Sequence, residues 1–174
     1  VFGNWAPRNS SHARVGEMVD LRWALTNSNN WISARLVNEL TPGALANKMR
    51  MFGITGYIDA HLPLCLGTVD VPVGQMVAAY TAFSNRGIRV DPIFVTRIED
   101  NQGNLIYSAV PHRTEVTSED AYYKIVSILL NVVDSGTGAS LRSRYGIRAQ
   151  MGGKTGTTNS NSDSWFMGFT PDLV

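Results

Sequence analysis

The chain has 174 residues, of which 44% are hydrophobic and 17% charged, and its 15 basic and 14 acidic residues give a formal net charge of +1. That length suits about one domain of ~100–200 residues, and the apolar share excludes disorder as a description of the whole. The balanced charge, without a basic stripe or an acidic tail, gives no footprint for nucleic acid. No apolar run approaches the ~18 residues of a membrane span, since Ser127 and Asn131 break the stretch 125–133. The first residues carry no signal-peptide pattern. A charged share below the usual ~25% suggests much buried surface or missing covering parts.

In chain order, residues 1–15 read as extended and looped. Over 17–27, Val19, Trp23 and Thr26 recur at helical spacing. Ser28-Asn29-Asn30 interrupts that helix, because short polar side chains compete for local backbone groups. A second helix is expected over 31–40. Thr41-Pro42 reads as N-cap and first helical position of a third, ending at Met51. Residues 57–69 read as loop. The next helix starts at 70–72, carries Met76, Val77, Tyr80 and Phe83, and stops near Gly87. Residues 93–98 are β-branched and strand-like; Asn101-Gln102-Gly103-Asn104 is a turn, and 105–107 a return strand. Thr117 or Ser118 caps a long helix to Asp134, with Asp120 and Lys124 one turn apart. Residues 150–157 and 164–170 read as two strands joined by the polar run 159–163. Helices first and strands later make the pattern α+β rather than βαβ.

Cys65 is alone, so no internal disulfide exists; a buried, inert thiol is its simplest role. His12, His61 and His112 share no metal-ligand spacing, so no metal and no cofactor is expected. Only three of the basic residues are Lys, namely Lys48, Lys124 and Lys154. Lys154 stands in Gly152-Gly153-Lys154-Thr155-Gly156-Thr157-Thr158. Small residues around a strand lysine let a ligand's backbone come close to its ammonium. Thr155 and Thr157, two apart, point to one strand face and make a donor-rich ledge suited to a carboxylate. A Gly-rich turn with an exposed Lys is the structural alternative for such a short motif. A phosphate-binding loop is excluded, because the required first Gly is Arg148. Gly136-x-Gly138 fails as a dinucleotide fingerprint, because Leu141 stands where the third Gly belongs.

Ser-x-Asn at Ser28-Asn29-Asn30 and Lys-Thr-Gly at 154–156 are two of the three motifs of serine penicillin-recognising enzymes. More of the chain resembles the transpeptidase domain of class A, bifunctional penicillin-binding proteins. The resemblance includes Asn4-Trp5-Ala6-Pro7-Arg8-Asn9, Leu21-Arg22-Trp23-Ala24-Leu25-Thr26-Asn27, Leu66-Gly67-Thr68 and Ala78-Ala79-Tyr80-Thr81-Ala82-Phe83-Ser84-Asn85-Arg86-Gly87. Gly136-Thr137-Gly138, Asp163-x-Trp165-Phe166 and Gly168-Phe169-Thr170-Pro171-Asp172 continue it in the family's order, over nearly the whole chain.

The resemblance implies an α+β fold, a helical subdomain plus an antiparallel sheet of the β-lactamase/transpeptidase-like type, incomplete at both ends. It implies a catalytic set in which Ser28 takes part in proton transfer, Asn30 hydrogen-bonds the substrate backbone and Lys154 polarises Ser28 and favours an anionic substrate. Thr155 and Thr157 would bind the substrate carboxylate, with the Thr157 N–H as one oxyanion donor, and Gly156 would leave room for a substrate strand. Trp165 belongs to the same substrate-binding set, or packs in the core, as strand tryptophans more often do. The implied partners are peptidoglycan stem peptides, a lipid-linked precursor and β-lactams. The implied place is the extracytoplasmic face of the cytoplasmic membrane, periplasmic in a Gram-negative cell. Membrane contact would come only through upstream parts.

The family's nucleophile is the Ser of Ser-x-x-Lys. Three residues before each Lys stand Leu45, Ala121 and Met151, so the chain contains no such motif. The nucleophile, a glycosyltransferase domain and a membrane anchor are therefore expected upstream, and the 174 residues read as a partial transpeptidase domain. Two alternatives are an inert penicillin-recognition or scaffolding module and a β-lactam hydrolase. The hydrolase is disfavoured, since no Glu stands between Glu39 and Glu99 to drive deacylation through water.

Overall fold

The computed structural model describes residues 5–158 and 162–174. The first four residues of the extended start, and residues 159–161 of the polar run between the last two strands, lie outside the described residues.

Caps decide where the N-terminal helices begin. Helix α1 (Leu21–Thr26) starts at Asp20, whose carboxylate accepts from Trp23 N at 2.7 Å. The periodic pattern had suggested a start near residue 17. Instead Glu17 N closes a turn onto Arg14 O at 3.2 Å, and the Arg14 side chain bonds Glu17. Helix α2 (Asn30–Leu40) is capped by Asn29, which accepts from Ile32 N at 3.1 Å. Thr41, at φ +76°, ends α2 and caps α3 (Pro42–Met51) by accepting from Ala44 N, with Pro42 in the first turn as expected. The stretch expected to be loop holds a 3₁₀ turn, Leu62–Leu66, closed by Gly67 in the left-handed conformation. Helix α4 (Val73–Ser84) follows Pro72.

At Gly87, φ is +86°, and a Cβ would lie 2.5 Å from Thr117 O, so glycine is required twice over. That approach lets β1 (Ile88–Val90) pair antiparallel with β4 (Arg113–Glu115), Arg89 facing Thr114. Neither strand was expected: Ile-Arg-Val and Arg-Thr-Glu are each three residues long, too short for a readable alternation. Between them lies the hairpin of β2 (Arg97–Glu99) and β3 (Leu105–Ser108), with Ile98 opposite Tyr107. Its turn is held by Asp100, whose carboxylate accepts from the N–H groups of Gln102 and Asn104, each at 2.8 Å. The strand expected over 93–98 is mostly outside this ladder. Propensity favours those residues, but Pro92 precedes them and a strand exists only where a partner supplies hydrogen bonds.

Helix α5 (Glu119–Asp134) is capped by Ser118 and buries Leu129, Val132 and Val133. After a short α6 (Ser140–Ser143), β5 (Gly152–Thr157) and β6 (Ser164–Phe169) form an antiparallel pair running from Gly152–Phe169 to Thr157–Ser164. The fold is thus α+β with antiparallel strands as expected, although its described strands form three separate two-stranded ladders rather than one sheet.

One core cluster gathers Ala46, Ile54, Ile58, Leu64 and Ala79 between α3, the 3₁₀ turn and α4. Ala79 of α4 belongs to it, and Ala78 and Ala82 of the same helix are buried as well, small side chains that allow close helix packing. A file of rings carries this packing to the last strand: Phe52 to Phe83 at 5.8 Å, Tyr80 edge-on to Phe83 at 5.0 Å, and Phe83 to Phe169 at 6.0 Å. Burial pushes the Tyr80 hydroxyl up to about 12. The Phe169 ring in turn occupies the place of a Cβ at Gly152, coming within 2.6 Å of it. The two glycines before Lys154 therefore have a packing reason that sequence alone leaves open.

Candidate active site

Ser28 sits in the tight turn between α1 and α2, at φ +53°. A left-handed conformation in a residue with a Cβ costs of order 1–3 kcal/mol and persists only where its surroundings impose it. Here Ser28 N donates to Leu25 O at 3.1 Å and Asn29 N to Ala24 O at 2.8 Å. From outside, residues 7–9 hold the turn. Asn9 Oδ1 accepts from Asn30 N at 2.8 Å, Arg8 O accepts from Asn30 Nδ2 at 2.6 Å, and Pro7 O accepts from Trp31 Nε1 at 2.7 Å. Asn9 was not singled out from the sequence for any role, because its partner lies 21 positions away.

Lys154 reaches this turn from β5. Its Nζ donates to Ser28 Oγ at 2.8 Å and to Thr155 O at 2.9 Å. Burial holds its pKa below the ordinary lysine range, because desolvation penalises the ammonium. Among the described residues no carboxylate forms an ion pair with it. Because Ser28 Oγ accepts from Lys154, its own proton is free for another acceptor. The pair can thus pass a proton between a substrate group, Ser28 and Lys154.

The other two lysines are occupied elsewhere. Lys48 Nζ donates to Val116 O at 2.6 Å, tying α3 to the end of β4. Lys124 pairs with Asp120 at 2.6 Å on the open face of α5, both side chains about three-quarters exposed.

The structure brings Ser28 and Lys154 together across 126 positions. It places Asn30 two residues further, as the first residue of α2, with its amide nitrogen given to Arg8 rather than to Lys154. Thr155 is half-buried, and its hydroxyl lies 2.7 Å from that of Thr137. Thr157 is exposed at the end of β5, opposite Ser164. A Cβ at Gly156 would meet only Trp165 Cβ, at an ordinary 3.5 Å. Internal packing therefore does not demand glycine at 156. Trp165 is 39% exposed and is not among the buried core residues. Beyond Thr157, Thr158 Oγ1 accepts from Asp163 N at 2.8 Å and donates to the Asp163 carboxylate at 3.0 Å.

The candidate residues lie along the β5–β6 pair and at the turn before α2. A groove of about 560 Å³ beside α1 is lined by Trp23, Asn27 and Asn131 among others, and one of about 370 Å³ by Tyr57, Asp59 and His61 among others; neither includes Ser28 or Lys154. Cys65 is half-buried, and desolvation raises its thiol pKa, which keeps it protonated and inert.

Helices packed on an antiparallel pair whose first strand carries Lys-Thr-Gly-Thr define a penicillin-binding-protein transpeptidase fold. Penicillin-binding protein 1A of Haemophilus influenzae superimposes on it with a TM-score of 0.79 at 25% identity, covering 95% of this chain and 30% of that one. Penicillin-binding protein A of Mycobacterium tuberculosis, solved as an imipenem acyl-enzyme complex, shares the fold with a TM-score of 0.77 at 20% identity, over 95% of this chain and 42% of that one. The family model of the penicillin-binding protein transpeptidase domain matches residues 1–173, and the chain belongs to that family. Among its relatives is penicillin-binding protein 1A of Neisseria meningitidis serogroup B, 35% identical over 98% of this chain and 22% of that protein. The Rickettsia conorii protein of the same name is 30% identical over 98% of this chain and 24% of its own length. The chain thus spans about a quarter of the length of the curated relatives it matches.

Proposed function

We propose that the protein carrying this chain cross-links peptidoglycan by D,D-transpeptidation of stem peptides through an acyl-serine intermediate, and that β-lactams acylate the same serine. The reading rests on one observation: a partly buried lysine on the Lys-Thr-Gly strand bonded at 2.8 Å to the Ser28 hydroxyl. The Lys154 ammonium lowers the free energy of an arriving carboxylate by Coulomb attraction and passes a proton to Ser28 Oγ as Ser28 gives its own proton to the leaving amine in acylation. The neutral Lys154 so formed takes a proton back through Ser28 from the attacking amine afterwards, and a positioned acid–base group contributes about 10²–10⁴-fold to such steps. Thr155 and Thr157 donate hydroxyls to the substrate carboxylate. The Thr157 N–H faces the developing oxyanion, and loss of one such donor costs about 10²–10³ in rate. Asn30 bonds the substrate backbone once its amide is released from Arg8 or through its carbonyl oxygen. Gly156 admits the substrate strand against the edge of β5, and Trp165 flanks it.

The nucleophilic serine is supplied by a part of the protein outside these residues, since no Ser-x-x-Lys occurs within them. Polymerisation of glycan from a lipid-linked precursor, and attachment at the outer face of the cytoplasmic membrane, belong to the same proposal. The test is labelling of the full-length protein with a fluorescent penicillin. Lys154→Ala is expected to lower the acylation rate at least 100-fold, on the scale of lost acid–base catalysis. Lys124→Ala removes only an exposed pair worth about 0.3–0.5 kcal/mol and leaves the rate unchanged. Equal losses from both would overturn the assignment.

A further inference from the structure

Thr137, in the loop after α5, belongs to no motif to which the sequence assigned a role. Its hydroxyl oxygen lies 2.7 Å from that of Thr155. The loop that carries it is held on several sides. Gly136 N donates to Asn131 O and Gly138 N to Val132 O, each at 2.9 Å, while Thr137 N donates to Thr26 O at 3.3 Å. A Cβ at Gly136 would stand 2.3 Å from Thr26 O, so this backbone approaches the end of α1 as closely as only glycine permits. Thr26 is two residues before Ser28. One short loop therefore touches both halves of the site, the Ser28 turn through its backbone and β5 through the Thr137 side chain.

Resting on the transpeptidase reading above, we propose that Thr137 is a positioning residue: it orients the Thr155 hydroxyl toward the carboxylate of the acyl donor. Two hydroxyls in contact share one hydrogen between them, and each carries one hydrogen and two acceptor sites. If Thr137 donates, the Thr155 hydrogen is not spent on Thr137 and is available to an anion. If Thr155 donates, its hydrogen is spent internally. A carboxylate on the ledge selects the first polarity and lines up Thr137 O–H, Thr155 O–H and the anion in one direction, an arrangement in which each bond strengthens the next. Threonine suits the task because its branched Cβ restricts χ1, and the anchored loop leaves little freedom in the backbone below it.

The experiment uses the full-length protein and a penicillin offered as the free acid and as its carboxylate methyl ester, with the acylation rate constant measured for each. Thr137→Val is expected to lower the rate for the acid about tenfold, the scale of one hydrogen bond to an ion. The rate for the ester stays within twofold, so the acid-to-ester ratio falls about tenfold. Thr137→Ser restores the ratio. Thr137→Ala gives the same fall as valine and serves if valine disturbs folding. An equal loss for acid and ester, or an unchanged ratio in both hydroxyl-free variants, would overturn the proposal. Lys154→Ala is run beside them: if it leaves acylation intact, the transpeptidase reading itself fails. If it abolishes acylation while the ratio survives loss of the Thr137 hydroxyl, only the role of Thr137 falls.

Discussion

Replacing Lys154 by Met separates what this side chain does for chemistry from what it does for stability. Methionine fills nearly the same volume without the ammonium. In the native protein the ammonium is partly buried, donates to Ser28 Oγ at 2.8 Å and Thr155 O at 2.9 Å, and meets no carboxylate among the described residues. Its pKa is lowered by desolvation, so the charged form is less favourable folded than unfolded. Against this, two hydrogen bonds are lost, each worth about 1 kcal/mol net, and the neighbouring oxygens lose a donor. The opposing contributions are similar in size, and Lys154→Met is expected to change unfolding free energy by less than about 2 kcal/mol. Urea unfolding followed by circular dichroism measures this.

The pH dependence carries the sign. Between the lowered folded-state pKa and the ordinary 10.5 of the unfolded chain, the unfolded state binds one proton more, so wild-type stability rises with pH across that window and is flat below it. The methionine variant lacks that rise. Tyr80 contributes the opposite slope above pH 10, equally in both proteins, so the difference curve isolates Lys154. Acylation by a labelled penicillin falls at least 100-fold in the full-length variant. A stability loss well above 2 kcal/mol, or a difference curve that falls with rising pH, would refute the account of an unpaired, desolvated lysine.

The glycines of β5 divide by role. Gly153→Ala would put a methyl 2.6 Å from the Phe166 ring and 2.7 Å from Met167 O, and is expected to destabilise by about 1–3 kcal/mol in a thermal melt. Gly156→Ala meets nothing closer than 3.5 Å, so the melt should move by less than about 0.5 kcal/mol while acylation of the full-length protein drops; an unchanged acylation rate would show that no substrate strand pairs there. The 174-residue chain by itself is expected to form no covalent adduct with a labelled penicillin, because acylation needs a nucleophile beside its base and the chain has no Ser-x-x-Lys. Stoichiometric labelling that disappears in Ser28→Ala would contradict this.

Sequence alone determined the features whose partners lie within a few residues. The Thr41-Pro42 start of α3 and a cap of α5 at Thr117 or Ser118, of which the structure selects Ser118, were legible because each capping side chain bonds an N–H three positions on. The turn at 101–104 and the β5–β6 pair were legible for the same reason, since a short connection brings each strand to its neighbour. The Lys-Thr-Gly and Ser-x-Asn motifs nominated the candidate site residues only through the family resemblance, since each triplet alone reads equally well as a turn. Where apolar spacing and a cap disagreed, at residues 17–20, the Asp20 cap prevailed: a turn has no helix to extend until its first N–H groups find acceptors. Only tertiary structure decided the rest. The Ser28–Lys154 bond, the Thr137–Thr155 contact and the hold of Asn9 on Asn30 join residues 126, 18 and 21 positions apart. The first two depend on how α1, α5 and β5 pack as bodies and the third on where residues 7–9 lie against α2, whereas the positive φ of Ser28 closes the end of α1 through local bonds to Leu25 O and Ala24 O. Such contacts leave no periodicity in a sequence, since the free energy that holds them comes from side chains spread over the whole chain.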